Sequence, residues 1–126
     1  VAYAANIETI RINRWELYED FSEKVASLDT TAQTLDIKAL RPGYVYIINN
    51  IVANEAGTKP TTIAIGYVRT GKFYLLTRKV IDNDNESLEY VGQVLLREGD
   101  VIRAIFYGAT EGDTADVYAN GYKIKP

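Results

Sequence analysis

From residue 32 onward, apolar and polar side chains alternate with a period of two, the spacing of strands that bury one face. In "QTLDIKAL" (33–40), Leu35, Ile37 and Ala39 alternate with Asp36, Lys38 and Leu40. "RPG" (41–43) follows, with Pro42 and Gly43 suited to a turn. "YVYIINNIVANE" (44–55) is β-branched, aromatic and long enough for a central strand. "AGTKP" (56–60) reads as a loop, and "TTIAIGYVR" (61–69) sets Ile63, Ile65 and Tyr67 on one face. "TG" at 70–71 is a tight-turn signal that makes "KFYLLTRKVI" (72–81) the hairpin partner. After the polar "DNDNES" (82–87) come "LEYVGQVLL" (88–96), "VIRAIFYG" (101–108) and "TADVYANGYKI" (114–124). Gly92 marks a bulge, and Asn120-Gly121 reads as a bulge within one terminal strand rather than a hairpin turn. Strands at this spacing predict an all-β fold, an antiparallel β-sandwich, jelly-roll-like, with about eight strands.

One tripeptide occurs twice, as Glu98-Gly99-Asp100 and Glu111-Gly112-Asp113. It raises a choice between an acidic site and a hinge between strands. Gly takes positive φ at no steric cost and Asp caps turns, while the flanking residues are strand-like. Both copies are therefore expected to be turns. Were the chain a carboxylate-dependent hydrolase, Asp100 and Asp113 would be its candidates.

The first 31 residues break the period and are treated as an N-terminal arm or extension to a sandwich domain over 32–126. "YAANIETIRIN" (3–13) reads as a strand or as an arm that becomes ordered on a neighbour. Within "RWELYEDFSEKVASL" (14–28), Tyr18, Phe21, Val25 and Leu28 share a helical face, and Asn13 with Glu16 would form a capping box. A strand-rich context favours the opposite reading, so one short helix and a strand both stand as expectations. Val1, Tyr3, Trp15 and Tyr18 are the candidate partner contacts of this segment.

Composition narrows function mainly by what is missing. There is no Cys, His or Met, and Ser occurs only at Ser22, Ser27 and Ser87. Thiol nucleophiles, Ser-His-Asp triads and His- or Cys-ligated metals are thereby removed from this chain. No catalytic residue and no cofactor is assigned. Net charge is −3, from 17 acidic and 14 basic side chains well mixed along the chain, so no nucleic-acid partner is expected. The basic residues Arg69, Lys72, Arg78 and Lys79 belong to one hairpin and read as ordinary surface. No membrane span or signal peptide is recognisable, so neither a membrane nor export is expected. Asp82, Asp84 and Glu86 alternate like the start of a calcium loop, but Ser87 and Gln93 stand where an EF-hand needs Gly and Glu. A looser all-oxygen calcium site is the remaining form of that idea. Ten Tyr beside three Phe and one Trp suit strand surfaces and contact patches, with Tyr44, Tyr46, Tyr67, Tyr74 and Tyr107 expected to line the sandwich.

The stretch "ALRPGYVYIINNIVA" resembles the opening strand of small phage virion β-sandwich proteins, in which a Pro-Gly turn leads into a long apolar strand. "LLREGDVIRAIFYGATEGDTADVYANGYKI" resembles their closing unit: strand, Glu-Gly-Asp, strand, Gly-Ala-Thr turn, final strand. The resemblance covers about two-thirds of the chain. It implies a non-enzymatic virion accessory protein, made in the host cytoplasm and carried in the virion. The form it points to is a capsid decoration (cement) protein. Implied partners are the major capsid protein or other virion proteins, with homo-oligomerisation and a trimer favoured. A tail or neck component and a carbohydrate-binding sandwich are the alternatives.

Overall fold

A computed structural model describes residues 15–25, 33–37, 40–83, 85–110 and 112–125, with backbone alone for Trp15 and for 23–25. They form eight strands: β1 (Trp15–Val25), β2 (Gln33–Ile37), β3 (Val45–Ala56), β4 (Thr61–Arg69), β5 (Lys72–Ile81), β6 (Leu88–Arg97), β7 (Val101–Tyr107) and β8 (Thr114–Ile124). One sheet has the order β1-β8-β3-β6 and the other β2-β7-β4-β5, every pairing being antiparallel. Consecutive strands pass repeatedly from sheet to sheet, and only β4 and β5 pair as a simple hairpin. Eight strands in two such sheets are a jelly roll.

The period of two decides what lies between the sheets. Tyr46, Ile48, Ile51 and Ala53 of β3, Val94 and Leu96 of β6, and Ala115, Val117 and Ala119 of β8 point inward. They meet Leu35, Ile37, Ile63, Ile65, Ile81, Ile102, Ala104 and Phe106 from the opposite sheet. Each large apolar side chain buried this way contributes about 1.5–3 kcal/mol, which offsets the entropy of ordering the strands. Tyr44 and Tyr67 pack half-buried against this core, whereas Tyr74 and Tyr107 emerge from it.

Residues 15–25 are strand, and no helix occurs among the described residues. The helical spacing of Tyr18, Phe21, Val25 and Leu28 is overridden because β1 finds β8 along its whole length, eleven consecutive pairs from Trp15↔Ile124 to Val25↔Thr114. In a strand, Tyr18 and Phe21 face opposite ways. Tyr18 turns inward, 6% exposed, edge-on to Tyr46 with ring centroids 5.0 Å apart. Burial first, then the Asp20 carboxylate, pushes its phenol pKa up. Tyr18 is therefore a core residue of this chain rather than an outward anchor. Residues 1–14, with Val1, Tyr3 and Asn13, lie outside the described residues.

The repeated tripeptide forms two copies of one turn. Gly99 and Gly112 have φ of +87° and +94°, and the amides of Asp100 and Asp113 donate to the carbonyls of Arg97 and Thr110 at 3.0 Å each. Positive φ at the third residue of a four-residue turn is the type II arrangement. Each Asp carboxylate also accepts the amide three residues earlier, from Arg97 at 3.0 Å and Thr110 at 2.9 Å. Because the turns sit at opposite ends of the seven-residue β7, they stand on the order of 20 Å apart. Asp100 and Asp113 do not form a carboxylate pair.

Asn120-Gly121 lies inside the single strand β8, as expected, but the extra residues are elsewhere. The register between β3 and β8 slips at Asn49, and Gly92-Gln93 of β6 oppose the same point. The bulge at Gly92 is as read; the one at Asn120-Gly121 belongs to β3 instead.

Candidate interaction surface

Strand pairing places the solvent-facing side chains of β1-β8-β3-β6 in rows across the sheet. One row runs Leu17–Tyr122–Ile47–Leu95, each residue directly opposite the next. Four adjacent strands thus contribute an apolar residue at one level, which alternation toward a single core does not require. Leu17 is 66% exposed and Leu95 62%. A parallel row two residues along the strands holds Glu19, Asn120, Asn50 and Val91, and the next holds Phe21, Tyr118, Val52 and Glu89. Val91 and Phe21 are also exposed. Leu17, Leu95 and Tyr122 in the first row and Val91 and Phe21 in the next two are the large exposed apolar residues of this face, with Glu19, Asn120 and Asn50 between them. Such patches mark contact surfaces.

The sheet β2-β7-β4-β5 also exposes apolar side chains, Leu75, Val80, Tyr74 and Tyr107, but sets charged groups among them. Arg103 is held in a fork by Asp36 at 2.8 and 3.0 Å, and Arg78 lies over the Tyr107 ring. The Phe73 ring covers Gly66, where a Cβ would approach it to 2.6 Å. The basic residues of the β4–β5 hairpin do not gather into one patch. Arg69 binds Asp100, Lys72 lies over Tyr74, Arg78 over Tyr107, and Lys79 pairs with Glu86 at 2.9 Å. Tyr67 and Tyr74 stack at 5.2 Å, and each has a cation over its ring, Arg69 and Lys72 respectively.

Of the calcium candidates, Asp84 lies outside the described residues. The Glu86 carboxylate accepts the Asp82 amide at 3.1 Å and pairs with Lys79, which holds its pKa below the ordinary value. It closes its own loop.

The titratable groups with unusual surroundings are turn and loop ties. Asp100, 4% exposed, accepts bonds from both Nε and Nη2 of Arg69 and from the Arg97 amide. Burial alone would raise its pKa; these bonds outweigh burial and leave it lowered. At the far end, Glu55 is fully buried at the close of β3, and its Oε2 accepts bonds from Lys59 and Thr61. Glu55 Oε1 has no N–H or O–H donor. Burial raises the Glu55 pKa against the pull of Lys59, and the nearby Asp113 carboxylate adds to the rise. The Asp113 carboxylate shifts the other way, toward its charged form. Burial opposes that charge, but the bond from the Thr110 amide, the nearby Glu55 carboxyl and the bond from the Thr58 amide bring Asp113 down to about 2.

A group depressed on folding contributes stability that is complete above its unfolded value and is lost as pH falls through its folded value. Asp113 should accordingly contribute about 1–2 kcal/mol above pH 4, allowing for partial exposure, and lose it between about pH 4 and 2. Urea unfolding across that range should show a smaller loss in Asp113→Asn than in the wild type, Asp100 supplying the remainder. An acid limb equally steep in the variant would remove Asp113 as its source.

No family model matches the chain, and no curated protein matches it. Among solved structures the chain is similar to one from a cryo-EM structure of a giant freshwater prawn (Macrobrachium rosenbergii) extra small virus particle. Identity there is 11% over 86% of this chain and 79% of that one, with TM-score 0.48. It is also similar to a chain of infectious bursal disease virus Gt strain, at 7% identity and TM-score 0.29, covering 90% of this chain but 41% of that one. The jelly-roll assignment rests on strand order and register.

Proposed function

We propose that the protein is a non-enzymatic structural component of a virion, a decoration subunit that binds an assembled head shell and reinforces it. The observation that carries this is the apolar outer face of β1-β8-β3-β6, a contact surface on a rigid sheet. A jelly roll alone names no function, since viral, lectin and enzyme domains share it. Here the exposed row supplies the docking area, and the two turn-tied ends of β7 keep the sheets in register beneath it. Burying such a face where shell subunits meet removes apolar area from water that rupture would expose again. Several linked copies would add avidity to a modest single contact.

Density-gradient fractionation of the native source lysate, followed by quantitative mass spectrometry, tests the reading. Many copies per genome-filled particle are expected. A few copies per particle would favour a tail or neck position, and a wholly soluble protein would overturn the virion reading. Leu95→Glu should abolish recovery on particles while changing stability by no more than about 0.5 kcal/mol, since the residue is exposed. Undiminished recovery would remove this face from the proposal.

A further inference from the structure

The two sheets leave four edges among the described residues, and β5 and β6 are built to refuse another strand. β5 carries an extra residue at Leu76 and is studded with Lys72, Arg78 and Lys79. β6 is bulged at Gly92-Gln93. Bulges and edge lysines are usual protections against strand addition. β1 has neither bulge, Pro nor Gly across its eleven residues. The Phe21 amide shows which backbone groups face outward, because it donates to the Asp20 carboxylate at 2.8 Å rather than to β8. By the alternation of an antiparallel ladder, Leu17, Glu19 and Phe21 present their N–H and C=O groups to the open side. Asp20 occupies the place that the carbonyl of an added strand would take.

We propose that this edge of β1 is a docking site for an extended, basic polypeptide segment, which adds to the sheet as a fifth strand. The charge of β1 selects the partner: Glu16, Glu19, Asp20 and Glu23 stand against Lys24 alone. Glu16 already faces Lys123 at 3.5 Å, whereas Glu19 and Asp20 make no ion pair among the described residues. A second copy of β1 fits poorly. Symmetric antiparallel registers centred on Glu19, Asp20 or Phe21 set Glu19 on Glu19, Asp20 on Asp20, or Glu19 on Glu23, and like charges directly opposite destabilise a pair. An incoming segment with apolar residues beside Leu17 and Phe21 and Lys or Arg beside Asp20 would extend the sheet's outer rows and meet the carboxylate on the other face. A cavity of about 200 Å³ next to the edge, lined by Glu19, Asp20, Arg41 and Lys123 among others, has room for one of its side chains. This inference does not depend on the virion reading.

The probe is a blocked nonapeptide of alternating Lys and Val, titrated into the full chain and followed by amide hydrogen exchange. Binding should slow exchange at Leu17, Glu19 and Phe21, while a Glu–Val peptide of equal length should not. Asp20→Lys should weaken the Lys–Val peptide at least tenfold. Glu19→Pro should block it too, since Pro there removes only an outward N–H and is tolerated on an edge. Absence of binding, binding without protection of those three amides, or equal binding of the Glu–Val peptide would each overturn the proposal. Should Glu19→Pro fail to fold, the Asp20→Lys result decides.

Discussion

Gly121→Ala is expected to destabilise the protein by about 3 kcal/mol or more, near the upper end for an overpacked core. A Cβ at Gly121 would lie 2.0 Å from the Ile47 carbonyl oxygen and 2.9 Å from two further backbone atoms of β3. The obstacle is main chain at the centre of a sheet, so no rotamer change relieves it. Either β3 and β8 separate, breaking ladder bonds, or the bulge at Asn49 rearranges. Gly121 adjoins Tyr122 and pairs with Ile48 beside Ile47, so the same change should also disturb the apolar outer row. Gly99→Ala, at an open turn with positive φ and nothing within 4 Å of its Cβ, should cost only about 1 kcal/mol. Chemical denaturation of both variants measures the contrast. Comparable losses would mean that β3 and β8 yield more easily than their spacing suggests.

The second large effect lies at the buried end of β3. Lys59→Met removes the cation beside Glu55 and should cost about 3 kcal/mol at neutral pH, the scale of breaking a buried ion pair. The loss should depend on pH with a definite sign. Glu55 has its pKa raised on folding, so its contribution is intact below the unfolded value near 4.5 and is lost as pH rises through the folded value. In the wild type Lys59 limits that loss. Without it, folded Glu55 must stay protonated, at a cost that grows with pH. Unfolding at pH 4 should therefore show a smaller difference from wild type than unfolding at pH 7.5. Adding Glu55→Gln to Lys59→Met should flatten the dependence. A deficit independent of pH would mean that Lys59 acts through packing and its bond to the Glu55 carbonyl alone.

Strand limits and inward faces were largely legible because alternation and turn chemistry agree. The β4–β5 hairpin was read to the residue, with Thr70 and Gly71 both at positive φ as a type I′ turn requires. The paired Glu-Gly-Asp turns were legible for the same reason. β1 was ambiguous because its apolar residues fit both periods, and pairing with a strand far along the chain decided between them. The outer apolar row was not legible. Ile47 and Ile48 are equally apolar in sequence, and register alone sends one outward and the other into the core. The Glu55–Asp113 and Arg103–Asp36 contacts likewise join residues that no local spacing relates.

The pairing of β1 with β8 also sets an order of events. During synthesis β1 emerges before the other described strands, yet the strand it joins follows roughly a hundred residues later. Chains dominated by such distant partners fold on the millisecond-to-second scale, and their unpaired strands wait exposed in the interval. On the ribosome, the β4–β5 hairpin is the one pairing available early, and the first sheet cannot close until β8 is out of the tunnel. Over that interval the four acids of β1 set like charges opposite one another in most pairings of two copies of the strand, which disfavours such pairing.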